Sequence, residues 1–262
     1  MAETTGELVR WEVDRGIATL TLDSPGNRNA LSARLRAELS RGLAAAMADD
    51  GVRGVVLTAS GSVFCAGADL KEIAAERAGH PPAPADAPGM PELFSAVMDA
   101  PKPVVARVNG PARAGGIGLV AAADIAVATT EATFAFTEVR IGVVPAIISV
   151  PVAARMHHRW MSRYFLTGET FDAAAAVDSG LLTRAVPPEE LDAATESVLD
   201  GLRQGAPRAL ARTKELLGAG HASEREAAFA EMGELSAEFF DSADAAEGRS
   251  AFREKRQPNW VL

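Results

Sequence analysis

The sequence predicts an α/β fold with a helical C-terminal part. Three observations lead there. Over the first two-thirds of the 262 residues, β-rich runs alternate with helical stretches, the pattern of a sheet covered by helices. Several of the strand runs, RGVVLT at 53–58 among them, are compact and apolar, as buried strands are. From Pro145 onward the chain reads as mostly helical and alanine-rich. The length suits one large domain, or a domain with an appendage, with a sizeable core.

The elements follow in order. Leu8 to Val13 and Ile17 to Leu22 are β-rich runs parted by Asp14–Gly16, a hairpin pattern. DSPGNRNALS is a loop by composition. Ser32 is a suitable N-cap for a helix whose apolar positions Leu35, Leu39, Leu43 and Met47 recur every fourth residue. Asp49–Gly51 stop it, and the strand Arg53–Thr58 runs into ASGSVFCAGADLKEI, where a helix begins near Asp69. Residues 77–91 hold five prolines and read as a surface loop, either a solvated insertion or a lid over a pocket. Val104–Val108, Ile125–Ala128 and Thr133–Phe136 are further strands. Asp172 caps a helix, the chain breaks at Val186–Pro188, and Leu191–Leu202, Leu210–Leu217, Ser223–Phe240 and Ala243–Phe252 are helical. The chain divides into a core over 1–190 and a helical region over 191–262. No repeat with a period of 20–50 residues is visible.

Composition narrows the function. The net charge of −9 argues against nucleic acid as a partner, because phosphate binding wants a basic face. The single cysteine, Cys65, permits no internal disulfide and fits a reducing cytoplasm. Its apolar neighbours favour an inert thiol over a nucleophile. MAETTGELVRWEV lacks the pattern of a signal peptide, and no apolar run is long enough for a membrane span. There is no HExxH, no histidine–cysteine clustering and no G-x-S-x-G elbow, so metal and serine-hydrolase chemistry are disfavoured.

Three places can carry chemistry. In FCAGADLKEI, Ala66, Gly67 and Ala68 lead into a helix start whose unpaired N–H groups suit a negative oxygen; an ordinary tight turn capped by Asp69 is the plainer reading. In NGPARAGGIGLVAAADIAV, Gly115, Gly116 and Gly118 open a second helix after a strand. Two such helix starts can aim two amides at one point, as an oxyanion hole does. A rival is the dinucleotide fingerprint G-x-G-x-x-A over Gly116–Ala121, with Glu138 about 20 residues on. It is weakened by the intervening NGPARA and by a following strand that ends in Thr129–Thr130. Glu138, at a strand-to-loop junction, is a candidate general acid or base, or else a surface carboxylate paired with Arg140.

Together these segments resemble the crotonase, or enoyl-CoA hydratase/isomerase, superfamily. PGNRNALS, GVVLTASGSVFCAGADLKEI, PKPVVARVNGPARAGGIGLVAAADIAVA, ATFAFTEVRIGVVP, RYFLTGETFDAAAAVDSGLLTRAVP and AFREKRQPNW carry the resemblance over nearly the whole chain. It implies a ββα spiral core with a helical C-terminal part that makes trimers, often paired into hexamers. It implies acyl-CoA thioester substrates, with no cofactor beyond the coenzyme A they carry, and Ala68 and Gly115 as the oxyanion-hole amides. Coenzyme A contacts are implied for Arg28, Ala30, Ala66, Asp69, Leu70, Lys71 and Gly116, and for Lys255, the last reaching a neighbouring subunit.

One position departs from the pattern. Hydratases of this family usually carry two glutamates; Glu138 matches the second, and Gly118 stands where the first is expected. Enoyl-CoA hydration is the leading expectation. A Δ3,Δ2-enoyl-CoA isomerase and a non-catalytic acyl-CoA-binding protein are the alternatives.

Overall fold

A six-stranded sheet forms the frame of the protein, described by a computed structural model over residues 6–80, 84–218 and 222–261. The chain runs β1 (Val9–Asp14), β2 (Ile17–Leu22), α1 (Ala33–Ala48), β3 (Gly54–Ala59), α2 (Leu70–Arg77), α3 (Met90–Met98), β4 (Val104–Val108), β5 (Ala112–Arg113), α4 (Gly115–Ala122), β6 (Ile125–Thr129) and β7 (Thr133–Ala135). It continues through α5 (Ala146–Ala153), α6 (His158–Thr167), β8 (Phe171–Asp172), α7 (Ala173–Asp178), β9 (Arg184–Val186), α8 (Leu191–Gln204), α9 (Pro207–Gly218), α10 (Ala222–Phe240) and α11 (Ala243–Glu254). The sheet order is β1-β2-β3-β4-β6-β9; the first pair is antiparallel and the rest are parallel.

The hairpin forms as the sequence predicts. Arg15 (φ 44°) and Gly16 (φ 77°) both take positive φ, as a two-residue type I′ turn requires. Ser32 caps α1, its hydroxyl accepting from Leu35 N at 3.3 Å, and Asp172 caps α7, accepting from Ala175 N at 2.8 Å. Every residue of β3 is buried, because helices cover both faces of the sheet. On one face, Leu20, Leu57, Leu35, Leu39, Phe94 and Ile117 share the main core. On the other, Leu199 of α8 packs on Ile17, Val56 and Val105, and Leu191 and Ala194 pack on Val127 and Val186.

Several elements depart from the sequence expectation. The proline-rich stretch ends in α3, with Pro91 in its first turn, where a missing N–H costs nothing. Residues 81–83 of that stretch lie outside the described residues. The C-terminal third is not purely helical, since β8 and β9 interrupt it. β9 has three residues with only Val186 buried, too short for a periodic signal. β5 and β8, two residues each, join β7 in a second sheet of order β5-β7-β8. No helix among the described residues is long and apolar enough to cross a membrane.

α9 is tied to the core by a buried charge. Lys214, 9% exposed, places Nζ 2.7 Å from Asp124 Oδ2 and donates to the carbonyls of Val97 (3.2 Å) and Lys102 (3.3 Å). Asp124 Oδ2 also accepts from Val104 N at 2.8 Å, so one cluster joins α9, α3, β4 and the α4–β6 turn. Removing one partner of such a pair strands the other. Lys214→Ala should therefore lose about 3–5 kcal/mol of unfolding free energy in a urea titration; a loss under about 1 kcal/mol would mean that the pair does not anchor α9.

Candidate functional site

Four stretches of backbone lie side by side at the edge of the core. Ala66 N donates to Arg28 O (3.0 Å) and Leu31 N to Gly67 O (2.8 Å), so Leu31 bridges Ala68 in parallel. Arg113 N donates to Cys65 O (2.9 Å), and Cys65 bridges Ala112. β5 then pairs with β7, Ala112 opposite Phe134. The loop at 28–31, the segment at 65–68, β5 and β7 thus form one continuous ladder, and the chain leaving β7 turns directly into Glu138.

The loop at 24–31 is held by Asn29, which is fully buried. Its Oδ1 accepts from Ser24 N (2.8 Å), and its Nδ2 donates to the carbonyls of Ser60 (3.0 Å) and Val63 (2.8 Å). Arg28 and Asn29 both take left-handed φ, near 60° and 54°. This places Arg28 exposed and Ala30 buried beside the 65–68 segment.

The two helix starts meet across Gly67. At φ 88° it takes a conformation that side chains avoid, and a β-carbon there would lie 2.9 Å from Ala114 Cβ and 3.2 Å from Gly115 N. The 67–68 and 114–115 peptides are therefore neighbours. Asp69 caps α2 by accepting from Lys71 N (3.0 Å) and Glu72 N (3.3 Å). Ala114, before α4, has φ 47° and ψ −119°, a strained setting for a non-glycine residue that turns the peptide carrying the Gly115 amide. Among the described residues, neither the Ala68 nor the Gly115 amide is spent on a turn or loop carbonyl. Arg36 braces the same wall: Nε donates to Pro88 O (2.8 Å), Nη1 donates to Leu31 O (2.7 Å), and Glu72 lies 3.8 Å away.

The glycines of α4 are explained by close approach on separate sides. A β-carbon on Gly115 would lie 2.5 Å from Met90 Cε, and one on Gly116 would fall within 3.0 Å of the Cys65 carbonyl. One on Gly118 would lie 2.5 Å from Phe94 Cζ, with two further ring carbons at 3.0 Å. Gly118 therefore does not face an open place awaiting an acid; the ring of Phe94, itself fully buried, fills it.

Glu138 begins a 3-10 turn, Glu138–Ile141. Its Oε2 is buried and has no hydrogen-bond partner among the described residues. Burial raises its pKa to about 7, against a smaller opposing effect of a hydrogen bond to its own backbone N–H. Arg140 does not pair with it; Arg140 Nε donates to Thr167 O at 3.3 Å. Behind the turn, Phe136, Phe165, Tyr164 and Phe171 form an aromatic cluster, with Tyr164 stacked on Phe171 at 3.8 Å between centroids. The turn rests on a firm apolar base.

Most of the candidates read from sequence come together here. Arg28, Ala30, Ala66, Ala68 and Asp69 lie along or just beyond the ladder, Leu70 and Lys71 are exposed on the first turn of α2, and Gly115 and Gly116 open α4. Lys255 does not join them: it ends α11, exposed at φ 55°, and no hydrogen bond or ion pair among the described residues ties it to that segment. Cys65 is buried, and desolvation pushes its thiol up to about 12, which removes it as a nucleophile. Asn29, Arg36, Met90, Phe94 and Ala114 escaped the sequence reading. Only Asn29 left a trace there, as a polar residue in a loop otherwise flanked by turn formers.

Comparison with known proteins bears on this geometry. The enoyl-CoA hydratase/isomerase family profile matches residues 12–261. A Rhodobacter capsulatus protein described as a probable enoyl-CoA hydratase is 34% identical over 97% of each chain. A crystal structure of an enoyl-CoA hydratase from Mycobacterium avium is 42% identical, with a TM-score of 0.87 over 98% of this chain and 100% of that one. A carnitinyl-CoA dehydratase of Proteus mirabilis is 31% identical over 93% of this chain and 94% of its own.

Two outcomes test the site's packing and charge. Gly118→Ala should destabilise by about 1–3 kcal/mol through overpacking against Phe94, and Phe94→Leu should recover much of that loss in a double-mutant cycle. A carboxyl raised from 4.5 to about 7 on folding contributes stability below pH 4.5 and loses it as pH rises through 7. Glu138→Gln should thus raise the melting temperature at pH 8, by an amount equivalent to about 3 kcal/mol at most, and leave it nearly unchanged at pH 4. Equal shifts at both pH values would contradict a buried, raised carboxyl.

Proposed function

Because the chain belongs to the enoyl-CoA hydratase/isomerase family, we propose that its site moves a proton on an acyl-CoA thioester, with Glu138 as the only carboxyl that carries it. The observation behind this reading is the desolvated Glu138 carboxyl, whose buried Oε2 has no partner among the described residues, one turn beyond a ladder that also holds two adjoining helix starts. The amides of Ala68 and Gly115 hold the thioester oxygen as it becomes an enolate oxygen. Donors preorganised for developing charge in a site that excludes water are worth several kcal/mol each. Arg28, Ala30, Gly116, the Ala66–Leu70 backbone and Lys71 take the coenzyme A portion, with Lys255 supplied by a neighbouring copy in a trimer or a hexamer. Exposed Leu166, Leu216 and Leu217 support such assembly.

Hydration is the first reading, supported by the descriptions of the relatives. Glu138 takes a proton from water, the hydroxyl adds to Cβ, and the carboxyl returns that proton to Cα. Allylic isomerisation is the second reading, and the Phe94 ring against Gly118 favours it. There Glu138 removes a proton from Cα of a 3-enoyl thioester and delivers it to Cγ, with no water to position. Both reactions start from the ionised carboxylate. A protein that only bound thioesters would gain nothing from a desolvated acid with one oxygen left without a partner.

Incubation with crotonyl-CoA and with a 3-enoyl-CoA separates the reactions. Loss of the conjugated enoyl absorbance reports hydration; its appearance from the 3-enoyl substrate reports isomerisation. Glu138→Gln should lower either rate by at least about 10²–10⁴-fold while thioester binding persists. With the carboxylate as base, kcat/KM should rise with pH and reach half its maximum near 7. Tight binding without turnover across a panel of thioesters would overturn the enzymatic reading.

A further inference from the structure

The 3-10 turn that carries Glu138 is touched from outside by the last helix of the same chain, and the contact is backbone on backbone. A β-carbon on Gly248 of α11 would fall within 3.0 Å of Cα, C and O of Ile141. A β-carbon on Gly142, at φ 73°, would fall equally close to C and O of Asp244 and to Ala245 N. Each partner thus brings a glycine to the other's main chain, with no side chain between them. Ala245, Gly248 and Ala251 are all buried along this side of α11. Close-packed backbone does not compress, so the place of the helix dictates the place of the turn.

The helix is itself held at both ends. Ser242 caps it, accepting from Ala245 N at 3.1 Å, and Arg249 Nη1 donates to Phe240 O at 3.0 Å. Glu247 accepts from Arg256 Nη1 (2.6 Å) and from Asn259 N (2.9 Å). The α10–α11 corner also reaches the opposite wall of the site: Arg77, at the end of α2, pairs with Asp241 at 2.8 Å and lies over the Phe240 ring.

We propose that Gly248 is a positioning residue, through which α11 sets the place of the turn that carries Glu138. The inference rests on the reading of Glu138 as the proton carrier. A role in folding alone would change stability and leave the chemistry of the surviving protein intact, whereas a positioning role shows in kcat and in the pH profile. The charged side chains on the elements packed against the turn are Asp244, Glu247, Arg249, Arg253 and Glu254 on α11, and His158, Arg159 and Arg163 on α6, with Arg140 on the turn itself. Arg163 pairs with Glu169, and Arg140 is bonded to Thr167. Desolvation, not one of these charges, raises the Glu138 carboxyl, so a displaced turn that admits water lowers it again.

The test compares Gly248→Ala, Ser242→Ala, Gly233→Ala and Glu138→Gln in the full chain, with crotonyl-CoA and a 3-enoyl-CoA as substrates. Gly248→Ala should lower kcat about tenfold or more, since a 1 Å misplacement can cost 10²-fold, with KM within about threefold of the parent. Its acid limb should move down by about one pH unit or more. Ser242→Ala frays the end of α11 that rests on Gly142 and adds no bulk; it should shift the limb in the same direction by less. Gly233, on α10, has open space where a β-carbon would go, and its variant should match the parent. Parental kcat and pH profile in both α11 variants, with Glu138→Gln inactive, would overturn the positioning role and leave the catalytic reading standing. Full turnover by Glu138→Gln would overturn both. If Gly248→Ala does not fold, Ser242→Ala decides: a moved limb supports the role, and an unmoved limb overturns it.

Discussion

The site depends on one backbone ladder. Hydrogen bonds join the 28–31 loop to the 65–68 segment, that segment to β5, and β5 to β7. Each rung fixes the direction of a peptide at the candidate site. The rungs are short, isolated bridges or two-residue pairs, and they survive because the main sheet and its helices hold both ends. Asn29 makes the same point in a side chain. Its three hydrogen bonds reach the backbone of two loops that would otherwise have to satisfy buried polar groups with water. Ladder and loops together bring residues from four distant parts of the chain to one place.

Two local costs are tolerated there. Ala114 is held at a backbone setting that non-glycine residues avoid, and Glu138 Oε2 is buried without a partner among the described residues. Each destabilises the fold, and each serves the proposed chemistry. The strained peptide turns an amide outward, and the desolvated carboxyl acquires a pKa near neutrality, where a proton is easily taken and returned. Such features persist where the surroundings over-determine them. Here the surroundings are α4 beneath its own N-terminus and the aromatic cluster behind the Glu138 turn.

Glycine performs one physical task in two regions. In α4 the missing β-carbons let Met90, Cys65 and Phe94 close on the first turn from three directions. At the α11 contact they let a helix rest directly on the turn that carries Glu138. In both regions an ordinary side chain would hold the elements apart. The ring of Phe94 has a chemical consequence as well. It occupies the space beside α4 where a side chain at position 118 would have to sit, and the proposal of Glu138 as the one proton carrier is built on that.

The α/β alternation, the hairpin, the caps Ser32, Asp69 and Asp172, and the two glycine-rich helix starts were legible in the sequence, because each is local: periodicity, a turn pair or a capping side chain acts within a few residues. Glu138 was legible as a carboxylate at a strand end, yet the sequence left it open between a base and a partner of Arg140. The structure turns Arg140 to Thr167 O and desolvates the carboxyl, and desolvation is a sum over distant neighbours. β5, β8 and β9 were invisible because two or three residues carry no period, and their strand character comes wholly from the partners they meet. Phe94 over Gly118 and α11 against Gly142 were invisible for the same reason. A glycine leaves room for a close approach, and only the tertiary structure says what fills it.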